Sequence, residues 1–174
     1  MTVVALTGPT GSGKTTLAEA LAKKLTTYVN IDVDPIKHMN PNAFTKVIDG
    51  DGEEDWPYSA WGLLGENIAL LAENYMKHGH DVIINGWLEV ESWQEIDKRI
   101  KIDHKVLILP EISINIERDS GRNEEVKMDE KAVARGQSYF NNTDYYADFT
   151  KIDTSTDTVD ETAAKIIEII SYDS

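Results

Sequence analysis

The residues with the clearest chemical potential stand near the start of the chain. The segment from Gly8 to Thr15 reads GPTGSGKT and matches the pattern G-x-x-x-x-G-K-[ST] at every fixed position. It follows a short apolar run, residues 3–6, and precedes a helical pattern, which is the context that a phosphate-binding loop requires. Glycines in such a loop let successive backbone N–H groups point inward around a phosphate, and the start of the next helix adds positive charge. The motif therefore predicts binding of a nucleoside triphosphate.

Individual side chains of this loop have separate predicted tasks. Lys14 would bring a positive charge to the β- and γ-phosphates, and the Thr15 hydroxyl could ligate Mg²⁺. The residues expected to contact the nucleotide here are Gly8, Thr10, Gly11, Ser12, Gly13, Lys14, Thr15 and Thr16.

Two carboxylates follow the second apolar run, residues 28–31. Asp32 and Asp34 are two positions apart, so on an extended strand both would point toward the carboxyl edge of the sheet, where ligands bind. Asp32 could hold Mg²⁺ through a water molecule, and Asp34 could accept the proton of an attacking hydroxyl. Either residue could instead cap the turn before Pro35, a common role for aspartate.

Two arginines follow the fourth predicted strand. Arg118 and Arg122 are four residues apart in the segment RDSGR, and their guanidinium groups could close over a phosphate chain as the reaction proceeds. We therefore predict a short lid over about residues 118–129. The alternative is a solvated charged surface that pairs with nearby acids. Arg135 is a third candidate, although its predicted helical position also suits a surface residue.

The third predicted strand also ends in residues suited to a ligand site. Asn85 and Trp87 lie at its carboxyl end. Trp87 could form an apolar wall for an acceptor molecule, and Asn85 could hydrogen-bond an acceptor hydroxyl. Trp61 lies at helical spacing, and we expect it in the core.

The elements that must position these residues follow an α/β pattern. Short β-branched runs alternate with helical patterns, which predicts a parallel sheet with helices on both faces. We predict one three-layer domain over residues 1–174. Its five strands are expected near residues 3–7, 28–32, 81–85, 105–109 and 149–153.

Helices are predicted from apolar residues at three- and four-residue spacing. A long one runs along Trp61, Leu64, Ile68, Leu71 and Tyr75 and ends at Gly79, and others cover residues 17–25, 92–100, 112–117 and 130–139. Capping boxes open two helices, at Ser92–Glu95 and at Thr158–Glu161, and the buried face of the last helix is expected to be Ala164, Ile167 and Ile170. The polar stretch 35–57, rich in carboxylates, is expected to be an irregular functional loop.

Charge and composition restrict the partners. Lys and Arg total 17 against 31 Asp and Glu, a net charge of −14, which argues against a nucleic-acid or anionic-membrane partner. The absence of cysteine excludes thiol catalysis and thiolate zinc sites. We see neither a signal-peptide pattern nor about 20 consecutive apolar residues, so a cytoplasmic location is expected.

Four features together resemble the small P-loop kinases, which include shikimate kinase, gluconate kinase and chloramphenicol phosphotransferase. They are the phosphate-binding loop, the Asp-x-Asp after the second strand, the Arg-x-x-x-Arg segment and the run Ile152-Asp153-Thr154-Ser155. The resemblance implies a P-loop NTPase fold with the first strand in the centre. It also implies an ATP-dependent phosphotransferase that moves the γ-phosphate of MgATP to a hydroxyl of a small molecule.

The resemblance also assigns residues. It implies that one of Asp32 and Asp34 serves the metal and the other the acceptor, that Arg118 and Arg122 bind phosphates, and that Asp153, Thr154 and Ser155 contact the adenine. Shikimate kinase has a run of three glycines where this chain has Asn85-Gly86-Trp87, which argues against shikimate as the acceptor.

A second class of function shares part of this pattern. Thr150-Lys151-Ile152-Asp153 fits the [NT]-K-x-D pattern by which GTP-binding proteins recognise guanine, and Asp49 to Gly52 offers an Asp-x-x-Gly. The spacing between the two is wrong for a GTPase, and the arginines would have no role there. A P-loop GTPase or ATPase switch, or a nucleotide-binding module without a small-molecule acceptor, is therefore the alternative.

Overall fold

A computed structural model describes residues 1–40, 47–48, 54–55, 58–123 and 127–172 of the chain. Its elements alternate between strands and helices, as the sequence predicts for an α/β fold. In chain order they are β1 (Val3–Thr7), α1 (Lys14–Lys24), β2 (Tyr28–Asp32), α2 (Val33–His38), β3 (Val47–Ile48), β4 (Glu54–Asp55), α3 (Tyr58–Lys77), β5 (Asp81–Asn85), α4 (Val90–Asp97), β6 (His104–Ile108), α5 (Ile112–Ser120), α6 (Glu130–Asn142), a 3-10 helix (Asp144–Asp148), β7 (Thr150–Ile152) and α7 (Val159–Tyr172).

Five parallel strands form the main sheet in the order β2-β5-β1-β6-β7. The predicted five-stranded parallel sheet is confirmed, and so is the central position of β1, between β5 and β6. Every residue of β1 is buried, which explains why residues 3–6 are continuously apolar rather than alternating. The strand predicted at 105–109 begins one residue earlier, at His104.

The sheet separates two apolar cores, and β1 contributes to both. Val3 and Ala5 pack with the side of the sheet covered by α3 and α4. Val4 and Leu6 pack with the opposite side, covered by α1 and α7. This two-residue alternation is the strand period, and it confirms helices on both faces of the sheet.

The described parts of the stretch from residue 35 to 57 are more regular than the sequence predicts. α2 occupies its beginning, with Pro35 in the first helical turn, where the missing N–H of proline leaves no bond unmade. β3 and β4 pair antiparallel, Val47 with Asp55 and Ile48 with Glu54. The expectation of an irregular segment was wrong here because elements this short carry no readable periodicity. The remaining residues of the acidic stretch, 49–53, lie outside the described part of the chain.

One capping box is confirmed and one is wrong. At α7 the Thr158 N–H donates to Glu161 Oε2 at 2.8 Å and the Glu161 N–H to Thr158 Oγ1 at 3.2 Å. α4, in contrast, begins at Val90 after Glu89, and Ser92 is buried with its hydroxyl donating to the Trp61 carbonyl at 2.7 Å. Ser92 matched the capping pattern by chance, since its hydroxyl fixes α4 against α3 instead.

In two helices the buried face differs slightly from the predicted one. The buried residues of α7 are Ala163, Ile166 and Ile170, while Ala164 is exposed and Ile167 only partly buried. Leu71 of α3 is 36% exposed, and the small Ala72 beside it is buried instead. In both helices the apolar stripe is wider than the face that contacts the sheet. Among the helices of the described residues, none has both the length and the apolar character that crossing a membrane requires.

α3 and α4 cross so closely that a side chain at Gly65 is excluded. A Cβ atom there would lie 2.3 Å from the Ser92 carbonyl oxygen. We expect Gly65→Ala to lower the free energy of unfolding by about 1–3 kcal/mol, because backbone must move to admit the methyl group. Gly62→Ala is the matched control in the same helix: its nearest neighbour would be Glu95 Cγ at 4.0 Å, and it should raise stability by up to about 1 kcal/mol. Urea unfolding of both variants measures this, and equal effects would contradict it.

Candidate functional site

The loop between β1 and α1 has the geometry that its sequence predicts. Gly13, immediately before α1, has φ of +90°, a left-handed conformation that favours glycine. Gly8 approaches β6 so closely that an added Cβ would lie 2.2 Å from the Ile108 carbonyl oxygen. The two outer glycines of the motif are therefore required by backbone conformation and by packing.

Lys14 curls over this loop. Its Nζ donates to the Pro9 carbonyl at 2.8 Å and to Ser12 Oγ at 3.4 Å. Burial lowers the pKa of Lys14 to about 8, although the negative charge of Asp34 opposes the shift, and the positive charge of Arg122 adds to it. The ammonium group is thus fixed against the loop and poorly solvated, and an anionic ligand would stabilise its charged form.

This pKa predicts a proton uptake on nucleotide binding. Bound phosphates favour charged Lys14, so above pH 8 binding must restore the proton that the empty protein has lost. MgATP affinity should fall as pH rises from 8 to 10, and uptake should approach about one proton at pH 9 and be near zero at pH 7. Calorimetry in buffers of different ionisation enthalpy measures the uptake. A Lys14→Arg variant, which stays charged, should bind without it, and equal uptake at both pH values would contradict the prediction.

A cavity of about 1040 Å³ opens beside the loop. Many of the predicted site residues line it, namely residues 10–16, Asp34, Trp87, Arg118, Arg122 and Thr154. The fold therefore brings the loop, α2, α5 and the segment after β7 together around one cavity. Five other predicted site residues, Gly8, Asp32, Asn85, Asp153 and Ser155, are not among the lining residues.

Asp32 and Asp34 differ in position. Asp32 ends β2 and caps α2, accepting a hydrogen bond from the Asp34 N–H at 3.1 Å. Asp34 lies in the first turn of α2 and lines the cavity. The prediction that both share one strand face was wrong, because the chain turns into a helix after Asp32. Asp34 nonetheless faces the loop, since it is the foremost negative charge acting on Lys14.

The oxygen atoms near the loop suit Mg²⁺. Thr15 lines the cavity, and the Asp32 carboxylate has a second oxygen beyond the one that caps α2. Burial, foremost, raises the pKa of Asp32 above its ordinary value, and a bound cation would offset that effect. Mg²⁺ in such sites takes one or two protein oxygens and completes its shell with phosphates and water. The assignment of Thr15 and Asp32 to the metal stays a prediction.

The two arginines of the predicted lid have different partners. Arg118 lies within α5 and donates to Thr154 twice, to Oγ1 at 3.1 Å and to the carbonyl at 2.8 Å. Arg122 follows α5 and pairs with Asp119, a buried carboxylate, at 3.1 Å. The other oxygen of Asp119 accepts from the Met128 N–H at 2.7 Å. Arg118 is therefore tied to the segment after β7, and Asp119 fixes both ends of the loop that carries Arg122.

Of the three predicted site residues after β7, Asp153, Thr154 and Ser155, Thr154 alone lines the cavity. Asp153 accepts from the Ser155 N–H at 2.8 Å, and hydrogen bonds from Ser155 hold the pKa of Asp153 below its usual range. Ser155 Oγ in turn accepts from the Glu111 N–H at 2.7 Å. Asp153 and Ser155 thus build the turn that displays Thr154. Asp153 and Lys151, the fixed residues of the guanine-binding pattern, do not line the cavity.

Asn85 is the predicted acceptor residue that the structure keeps away from the cavity. It is the last residue of β5, fully buried, and its Nδ2 donates to Asn30 Oδ1 of the adjacent strand at 3.0 Å. The predicted contact with an acceptor hydroxyl is therefore not made by this arrangement. Trp87, two residues later, does reach the cavity.

Several residues that were not predicted to belong to the site also line the cavity. Lys37 of α2 lies over the Trp61 ring, 4.7 Å from its centroid, and both line the cavity. Glu89 and Tyr139 line it beside Trp87. Of these residues, Lys37 alone could have been identified from the sequence, because it follows Asp34 by one helical turn. Trp61 is buried as expected, yet one part of it reaches the ligand space. Arg135, the third arginine candidate, also lines the cavity.

Solved structures with the same architecture are kinases and a resistance protein. Thymidylate kinase from Candida albicans aligns over 99% of this chain and 92% of its own, with 15% identity and a TM-score of 0.71. The tunicamycin resistance protein of Deinococcus radiodurans aligns over 97% and 95%, with 14% identity and a TM-score of 0.68. Shikimate kinase from Acinetobacter baumannii, solved with shikimate, aligns over 99% and 94%, with 17% identity and a TM-score of 0.62. At such identities these likenesses show the fold alone.

The sequence itself carries a more specific likeness. Among curated proteins, none matches it. The family model described as chloramphenicol phosphotransferase-like protein, however, matches residues 1–171. The resemblance to small P-loop kinases is thereby confirmed. The chain belongs to the chloramphenicol phosphotransferase-like family.

Proposed function

We propose that this protein transfers the γ-phosphoryl group of MgATP to a hydroxyl of a small molecule. One observation carries the proposal: Asp34 lines the same cavity as Lys14 and the phosphate-binding loop, and its charge acts on that lysine. A carboxylate in this position can receive a proton from a hydroxyl that approaches the γ-phosphate.

The phosphate end of the cavity is built from positive charge. Lys14, Arg118, Arg122 and Arg135 all line the cavity, together with the loop and the start of α1. This local excess of cations contrasts with the net charge of −14 and suits the triphosphate of ATP. Thr15 and Asp32 would hold Mg²⁺, which when bound would reduce the negative charge of the phosphates.

The acceptor end combines aromatic walls with a few charged groups. Trp61, Trp87 and Tyr139 supply apolar surface, and Asp34 supplies the base. In the transfer, the acceptor oxygen forms a bond to the γ-phosphorus while the bond from that phosphorus to the leaving ADP oxygen breaks. The hydroxyl proton passes to Asp34, and the cations at the phosphate end stabilise the charge that develops.

An acceptor screen tests the function. Sugars, nucleosides, aromatic alcohols and coenzyme precursors are each added to the protein with MgATP, and ADP release is measured above the rate without acceptor. We expect at least one class to stimulate release in the wild-type protein and not in Asp34→Asn. Release that is never stimulated, with MgATP bound normally, would favour a nucleotide-binding module without a small-molecule acceptor.

The two arginines should separate binding from turnover. We expect Arg122→Ala to lower kcat more than it weakens MgATP binding, because positive charge near the γ-phosphate matters most as the phosphoryl group detaches. Arg118→Ala should mainly weaken MgATP binding, because Arg118 fixes Thr154, which the family resemblance places against the adenine. Titration with a fluorescent ATP analogue and steady-state kinetics measure both. The same pattern in the two variants would contradict this division.

A further inference from the structure

The acceptor end of the cavity contains a second carboxylate that the transfer does not use. Glu89 lies between β5 and α4 and lines the cavity. It occupies the position before α4, yet its side chain makes no hydrogen bond to the helix N–H groups. Its carboxylate is thus directed to another task.

Aromatic side chains hold this carboxylate in place. The Trp87 Nε1–H donates to Glu89 Oε1 at 2.9 Å. Glu89 also interacts with the Tyr139 hydroxyl and, after burial and the neighbouring Tyr146, contributes to raising the pKa of Tyr139 above its ordinary range. The Trp87 and Tyr139 rings are stacked, with centroids 5.6 Å apart and planes at 18°. Glu89 is therefore bound to a rigid wall rather than to a mobile surface.

The packing behind Trp87 leaves it no freedom to turn away. Its ring contacts Phe140 edge-on at 4.9 Å between centroids. A Cβ atom at Gly136 would lie 2.9 Å from the ring, so α6 approaches Trp87 as closely as glycine allows. A side chain held this tightly keeps its N–H, and hence the Glu89 carboxylate, in one orientation.

The Lys37 ammonium group lies near Glu89, while Asp34 acts on both Lys37 and Lys14. Both carboxylates favour the charged form of Lys37 against the burial that lowers its pKa. Lys37 also lies over the Trp61 ring. An ionised carboxylate accepts about four hydrogen bonds, so Glu89 keeps accepting capacity after its contacts with Trp87 and Tyr139. A protonated amine on a ligand would make charge-assisted hydrogen bonds to this remaining accepting capacity.

We propose that Glu89 selects the acceptor by binding a protonated amine that the acceptor carries apart from its reacting hydroxyl. The inference rests on the proposed function and narrows it: the acceptor class is an amino alcohol with an apolar or aromatic part that lies against Trp61 and Trp87. Glu89 is a specificity-determining residue and takes no part in the proton transfer.

A pair of probes that differ only in the amine tests this. Binding of 2-amino-3-phenylpropan-1-ol and of 3-phenylpropan-1-ol to the full chain, loaded with MgADP, is measured by calorimetry at pH 7. We expect the wild-type protein to bind the amino alcohol at least about tenfold more tightly, the difference that one charge-assisted hydrogen bond typically makes. In Glu89→Gln, which still accepts from Trp87, the two affinities should agree within about twofold.

Two further variants separate recognition from structure. Glu91→Gln removes the same charge two residues away, outside the cavity, and should keep the wild-type preference. Trp87→Phe keeps the aromatic wall but removes the N–H that orients Glu89, and should reduce the preference partly. Thermal unfolding midpoints show that each variant is folded.

The outcomes test the amine site independently of phosphoryl transfer. Equal affinities in the wild-type protein, a preference that survives in Glu89→Gln, or no binding of either probe to the wild-type protein overturns the inference. ADP release is measured in parallel with both probes. Release without a preference for the amine leaves the proposed function and removes the inference, whereas a preference in binding without any release keeps the amine site and counts against phosphoryl transfer.

Discussion

Replacing Lys14 by alanine is expected to lower the affinity for MgATP by at least about 100-fold and to reduce turnover to background. The Lys14 ammonium group lies against the loop, bonded to the Pro9 carbonyl, with its charge poorly solvated. Bound phosphates would add strong negative charge beside it and so offset the cost of burying it. The loop amides would remain in the variant, but they carry only partial charge. Titration with a fluorescent ATP analogue and an ADP-release assay measure the two effects.

Lys23→Ala provides the matched control for this experiment. Lys23 is on the same helix, α1, and is exposed in its last turn. Its removal changes the net charge equally, so any general electrostatic effect on the nucleotide appears in both variants. We expect MgATP affinity within about twofold of wild type there, because exposed charges more than a Debye length from the site are screened. An unchanged affinity in Lys14→Ala would mean that the nucleotide binds elsewhere.

The phosphate-binding loop could be predicted from sequence because everything that defines it is local. The motif spans about a dozen residues, which include the fixed glycines, Lys14 and the apolar run of β1. The role of each can be inferred from its residue type and its position in the motif. Gly13 needs its left-handed φ and Gly8 needs space against Ile108. The central position of β1 followed from the family resemblance, since periodicity alone does not specify which strands are neighbours.

The acceptor side could not be predicted in the same way, because tertiary packing assembles it. Asp34 reaches the cavity through a helix that begins at Asp32, and no period in the sequence distinguishes that from a continuing strand. Ser92 matched a capping pattern but bonds to the Trp61 carbonyl of another helix. Glu89 gains its orientation from Trp87 and from α6, some 50 residues later in the chain. The roles of such residues can be assigned only when the packing of the helices and strands is known.

Asp34→Asn is expected to lower kcat by about 10²–10⁴-fold while MgATP affinity stays within about twofold of wild type. Asparagine has the same size and can keep the first turn of α2, but it cannot accept the proton of the attacking hydroxyl. Asp32→Asn should behave differently. It would raise the Mg²⁺ concentration needed for half-maximal activity, because one oxygen of a predicted metal ligand is replaced by an amide nitrogen. Steady-state kinetics at several Mg²⁺ concentrations, with an acceptor found in the screen, compare the two variants.

The pH of this comparison matters because Asp34 also acts on Lys14. Its negative charge raises the pKa of Lys14 against the effect of burial, so removing that charge lowers this pKa below about 8. At pH 8.5 the Asp34→Asn variant would then lose MgATP affinity through Lys14, which would imitate a structural role. At pH 6.5 to 7 Lys14 keeps more of its proton, and a loss of kcat at unchanged affinity can be assigned to the missing base. Equal losses of affinity and kcat at that pH would show that Asp34 supports the fold of the site rather than the proton transfer.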